Sequence, residues 1–138
     1  MRIKLEQGAM PPVRAHATDA GLDIFAMNDG IVRAHQSAVF HTGVHVEIPA
    51  EIMGDVRPKS GLMFWHDILT FGTVDEGYDG EVMVKMFNLG SEDFSVRRGD
   101  KITQLAMVKV VYEPLEIVED IGRGERGSAG FGSTGVRA

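Results

Sequence analysis

The chain has no cysteine, which excludes disulfides, thiolate nucleophiles and thiolate-ligated zinc, and fits a reducing compartment such as the cytosol. It also lacks any apolar run long enough to span a bilayer, and its opening residues, MRIKLEQGAM, lack the apolar centre of a signal peptide. Positive charge is scarce as well. With a net charge of −6 there is no basic field to hold nucleic acid in general, so an anionic substrate needs a metal ion or a few local cations. Sustained helical periodicity is missing too, while glycine is plentiful at 17 residues, a combination that points to an all-β protein. A length of 138 residues suits one domain and its core. The expectation is a single-domain cytoplasmic protein that binds neither membrane nor nucleic acid.

What is present reads as short strands separated by turns. Arg2–Leu5 is expected as an edge strand ending before Pro11 and Pro12, which cannot donate to a ladder. Leu22–Ala26 is expected as a strand, with MNDG at Met27–Gly30 as a hairpin connection. From Val39 to Ile48, apolar Phe40, Val44, Val46 and Ile48 alternate with His41, Gly43, His45 and Glu47, the period of one half-buried strand. Met53–Arg57, Val82–Asn88 and Ile102–Tyr112 continue the series, which predicts an antiparallel sandwich or barrel. Ser60–Ile68 is the one segment with a plausible helical turn, capped by Ser60 and anchored by Trp65. RGD at Arg98–Asp100 reads as the turn before a strand.

The polar residues are organised around Gly72–Glu81, GTVDEGYDGE, where Asp75 and Tyr78 sit among glycines that let a ligand approach the backbone. By itself this is also ordinary turn chemistry. Asp23 lies in AGLDIFA, Lys59, Ser60 and Gly61 in PKSGL, and Asp100 and Gln104 in RGDKITQL. The tail, GRGERGSAGFGSTGVRA at Gly122–Ala138, is too glycine-rich to build a core. Its Ser133 and Thr134 beside Gly132 present hydroxyls and successive amides of the kind that cradle phosphates, although no Walker motif is present.

Taken together and in this order, AGLDIFA, PKSGL, GTVDEGY, RGDKITQL and RGSAGFGSTG resemble the five motifs of the trimeric dUTP diphosphatases (dUTPases), over nearly the whole chain from Thr18 to Gly135. The resemblance implies a jelly-roll-type β-barrel of the β-clip kind over residues 1–121. It also implies a glycine-rich arm over residues 122–138 that closes the active site of a neighbouring subunit. The implied assembly is a homotrimer with sites at the subunit boundaries. The implied reaction is hydrolysis of dUTP to dUMP and pyrophosphate with Mg²⁺ on the triphosphate, which limits uracil incorporation into DNA.

Carried onto matching positions, Asp75 is the general base for in-line attack of water on the α-phosphorus. Tyr78 packs on the deoxyribose and leaves no room for a 2′-hydroxyl. Asp23 holds Mg²⁺ through water. Lys59, Ser60, Gly61 and Gln104 contact phosphate, Arg126 pairs with the terminal phosphate, and Phe131 stacks on uracil. Gly132, Ser133 and Thr134 add phosphate contacts, and backbone groups around Leu69–Val74, Val74 included, read uracil.

Several positions depart from the pattern. Lys59 replaces the usual Arg and loses its bidentate fork. Gly77 replaces a common Asp, Ala129 replaces a glycine, and the segment before Gly72 is short. Asp79 adds a negative charge and is expected to point outward. Two other readings share the fold. A dCTP deaminase would need a catalytic glutamate where Lys85 stands, and a non-catalytic trimer regulating a protein partner would be expected to lose Asp75, Tyr78 or GFGSTG, all of which are present. A virus within a host cell is as compatible with the sequence as a bacterium. Deleting the chain after Gly127 is expected to abolish most activity and leave the fold intact, as turnover and circular dichroism on the same sample would reveal.

Overall fold

A computed structural model describes residues 1–122, 124, 127 and 128. In chain order the elements are β1 (Ile3–Leu5), β2 (Gly21–Phe25), β3 (Gly30–Val32), β4 (Ser37–Phe40), β5 (Val44–Val46), β6 (Ile52–Arg57), α1 (Ser60–His66), β7 (Ile68–Thr70), β8 (Gly72–Val74), β9 (Val84–Asn88), β10 (Phe94–Val96) and β11 (Lys101–Lys109). The fold is thus mostly β with one short helix. Every pairing is antiparallel: β2-β11-β6-β8 form one sheet, β4-β9-β7 a second, and β1-β5 and β10-β3 two ribbons. The jelly-roll architecture expected from sequence is present, but no hydrogen-bonded ring closes into a barrel among the described residues.

Two apolar clusters hold these layers together. In the first, Ile24, Val56, Val74 and Leu105 of the four-stranded sheet meet Val44 and Val46 of β5. In the second, Phe40, Ile68, Val84 and Met86 of the three-stranded sheet meet Val32 and Val96 of the β10-β3 ribbon. Alternation explains this division. On β9, Val84, Met86 and Asn88 face inward while Lys85 is exposed, the two-residue period of a strand covered on one side. A buried hydroxyl pair, Thr70 and Thr103 at 2.8 Å, ties β7 to β11, and Thr103 also donates to the Arg57 carbonyl at 2.7 Å.

Several sequence expectations are corrected. The run from Val39 to Ile48 is not one strand. It breaks at Gly43, whose φ of +64° and position 2.7 Å from the Ala9 Cβ, measured from a hypothetical Cβ, admit no side chain. β4 and β5 therefore enter different sheets. MNDG is not a hairpin connection either, because β3 pairs with β10 and not with β2. The helix is present, but its N-cap is Lys59, no side chain caps it, and it ends at Asp67 in the left-handed region. Trp65 anchors nothing: it is 80% exposed, and Leu62 is the helix residue that packs on the core.

Phe40 is 1% exposed at the centre of the second cluster. Phe40→Ala is expected to cost about 3–5 kcal/mol of stability, the range for truncating a buried aromatic, read as a lowered urea midpoint at unchanged slope.

Candidate active site

The GTVDEGYDGE stretch begins as β8 and then turns sharply. The Tyr78 N–H donates to the Asp75 carbonyl at 3.2 Å, with Gly77 at a φ of +82°. Tyr78 then folds back so that its hydroxyl donates to the Glu81 carbonyl at 3.0 Å. A Cβ on Gly80 would sit 2.3 Å from that hydroxyl, so this glycine is what lets the ring lie over the turn. Asp75, Val74 and Tyr78 line a cavity of about 390 Å³ together with Phe71, Met83 and Lys85. Phe71 stacks on Phe87 with ring centroids 4.9 Å apart, and both Asp75 and Asp79 are exposed.

Glu81 anchors this turn to the rest of the domain. Its carboxylate accepts the Thr42 and Gly43 N–H groups at 2.8 Å each and the His41 Nδ1–H at 2.8 Å. Burial raises the Glu81 pKa, but the bonds from Gly43, His41 and Thr42 outweigh it and hold the carboxyl below its ordinary value. The same hydrogen bond to Glu81 raises His41. His45 lies beyond the break at Gly43, where its Nδ1–H donates to the Asp79 carbonyl at 2.9 Å. The two histidines are thus held by separate partners, and among the described residues no set of three His, Asp or Glu side chains could hold a metal.

The second group of expected residues gathers around Asp23, the one charged residue buried among those described, at 7% exposure. Lys59 Nζ binds its Oδ1, and Lys101 Nζ binds its Oδ2 at 2.8 Å. Burial pushes the carboxyl up, and the hydrogen bonds from Lys101 and Lys59 overcome that and hold it below the usual carboxylate value. Ser60 and Gly61 open α1 directly after Lys59. Gln104 lies opposite Asp23 in the β11–β2 register and donates to the Pro58 carbonyl at 3.0 Å. Asp100 is a turn residue, accepting the Arg97 N–H at 2.8 Å.

Asp23, Lys59, Ser60, Gly61 and Gln104 therefore form one group, and Val74, Asp75 and Tyr78 another. Their two acids belong to opposite edges of one sheet, Asp23 on β2 and Asp75 just after β8, while Gln104 on β11 and Lys59–Gly61 after β6 lie between those edges. Three strand spacings separate those edges by about 14 Å. The register adds to this, because Val74 lies opposite Gly54 whereas Gln104, level with Asp23, lies opposite Arg57. Arg126, Phe131, Gly132, Ser133 and Thr134 lie outside the described residues.

Sequence alone does not single out Lys101 or Glu81. A β-bulge between Lys101 and Thr103 breaks the simple alternation along β11, so the direction of the Lys101 side chain cannot be read from strand parity. The presence of Lys101 inside RGDKITQL was the available signal.

The family profile of dUTPase matches residues 7–135. The chain is 41% identical to a deoxyuridine 5′-triphosphate nucleotidohydrolase of Clostridium acetobutylicum, over 97% of this chain and 94% of that protein. It is 40% identical to the Mus musculus protein of the same name, over 96% of this chain and 83% of that one. A solved dUTPase of Staphylococcus bacteriophage 80alpha with dUPNHPP superposes with a TM-score of 0.91 at 28% identity, covering 98% of both chains. The chain belongs to the dUTPase family. It is accordingly an enzyme of nucleotide metabolism, a hydrolase acting on a phosphoanhydride bond.

The His41–Glu81 pair carries a pH signature. The Glu81 contribution is present above its unfolded value of 4.5 and is lost as pH falls through its lowered folded pKa. The His41 contribution is complete below 6.5 and is lost as pH rises through its raised folded pKa. The melting-temperature advantage of the wild type over Glu81→Gln is therefore expected to peak between 4.5 and 6.5 and to shrink on both sides.

Proposed function

We propose that this chain hydrolyses dUTP to dUMP and pyrophosphate, working in the cytoplasm (of a host, if viral) as a homotrimer with Mg²⁺ on the triphosphate. The observation that carries the reading is the turn at Asp75–Tyr78. It sets a carboxylate and an aromatic ring at one cavity of about 390 Å³, in a chain whose family is established. Asp75 takes a proton from a water as the water oxygen attacks the α-phosphorus. A new P–O bond forms, the bond to the bridging oxygen breaks, and pyrophosphate leaves. Positioning and charge neutralisation do most of the work in such a displacement. The Tyr78 ring, held by its hydroxyl on the Glu81 carbonyl, packs against the deoxyribose and excludes a 2′-hydroxyl. Val74 and the backbone of β8 read the uracil edge.

The dUTPase family uses a divalent metal in general, and Mg²⁺ is the proposed one. The described residues fit a cation carried by the substrate's phosphates better than one caged by protein, because they offer no three-ligand set. A hard cation that keeps most of its water needs little more than one carboxylate nearby, and Asp23 would be that carboxylate once Lys59 and Lys101 turn from its two oxygens to phosphate. When bound, the cation neutralises phosphate charge.

The separation of Asp23 from Asp75 across the sheet supports the trimer. A single copy keeps Asp23 and Asp75 on opposite edges, so on this reading the turn of a second copy completes each site, and the 122–138 arm of a neighbour closes it. Lys85, which lines the cavity, speaks against the deaminase reading, since an ammonium cannot serve as the carboxylate that reaction requires. The retained Asp75 and Tyr78 speak against a purely regulatory trimer. Asp75→Asn is expected to lower kcat by about 10²–10⁴-fold with nucleotide affinity largely kept, the range for losing a general base, measured as pyrophosphate release beside dUpNHpp binding. Unchanged turnover would take Asp75 out of the role.

A further inference from the structure

The proposed substrate carries several negative charges, and the chain as a whole is negative by 6, so each cation near the phosphates matters. At the expected phosphate site the family's Arg is replaced by Lys59, a point charge without the planar fork. The structure shows where a second charge comes from. Lys101 Nζ lies 2.8 Å from Asp23 Oδ2 while Lys59 Nζ holds Oδ1 of the same carboxylate. The two oxygens of one carboxylate bring the two ammonium groups close together. One carboxylate cancels only one of them, which leaves a net positive charge at the mouth of a buried acid. Lys59 keeps 27% of its side chain exposed and Lys101 44%, so both can turn from the acid to a ligand. Gln104, on the same strand as Lys101, faces this spot across from Asp23.

We propose that Lys101 is a second phosphate-binding cation of this site, sharing Asp23 with Lys59 and turning to the substrate's phosphates when nucleotide binds. Two monodentate ammonium groups, from the start of α1 and the start of β11, then do together what one arginine fork does in relatives. Asp23 serves as their common counter-ion, preventing mutual repulsion from spreading them apart. This assignment rests on the dUTP-hydrolysing reading given above.

The test compares ligands that differ only in phosphate. Lys101→Gln keeps an N–H donor for Asp23 and removes the charge, so the buried acid retains a partner and the fold is preserved. Binding of dUpNHpp is expected to weaken about tenfold, the size of a lost charge-assisted contact. Inhibition by deoxyuridine, which has no phosphate, is expected to stay within about twofold of wild type. Lys101→Arg should restore dUpNHpp binding. Equal losses for both ligands would make Lys101 a structural strut and overturn the proposal, as would no loss for either. A wild-type chain that neither hydrolysed dUTP nor bound dUpNHpp would remove the functional reading and this assignment with it. A wild type that did both, with Lys101→Gln indistinguishable from it, would remove the assignment alone.

Discussion

Strand β11 is the constraint on which the architecture rests. It is hydrogen-bonded along both sides, to β2 and to β6, and it contributes Ile102 to one apolar cluster and Leu105 to the other. This double pairing fixes the order Asp23, Gln104, Arg57 across three strands, and hence how far apart the two edges of the sheet stand. The bulge at the beginning of β11 allows Lys101 to reach Asp23 although strand parity alone would not forecast it.

Electrostatics then act on a backbone already set. Asp23 is a buried carboxylate, which would be costly if isolated and is tolerated because two ammonium groups meet it. Glu81 is satisfied differently, by two backbone amides and an imidazole, and so joins the Asp75–Tyr78 turn to the break between β4 and β5. In one case the charge holds cations ready at a surface. In the other it fastens a loop to the scaffold.

Much of this was legible in the residues. The short strands, the single helical segment and the five motif stretches could be read because turn glycines and two-residue alternation leave local marks. What escaped was non-local. Nothing in Val39–Ile48 announces that Gly43 must accommodate Ala9, so two strands look like one. Trp65 is a natural anchor by composition, yet the helix leaves it facing outward. Nothing local tells that β3 pairs with a strand more than sixty residues later. For the site, the individual motif residues were visible, but the separation of Asp23 from Asp75 by the width of one sheet depends on pairing order.

That division has a consequence for how damage is inherited. On the proposed assembly, a protomer lacking Asp75 still lends an intact Asp23 edge to its neighbour, and one lacking Asp23 still lends an intact turn. Two individually inactive alleles expressed in one cell would then rebuild some working sites in mixed oligomers, while either allele beside a normal copy would spoil sites it does not itself encode in full. The sheet that keeps two acids apart in one molecule thereby makes the gene's phenotype a property of the population of chains.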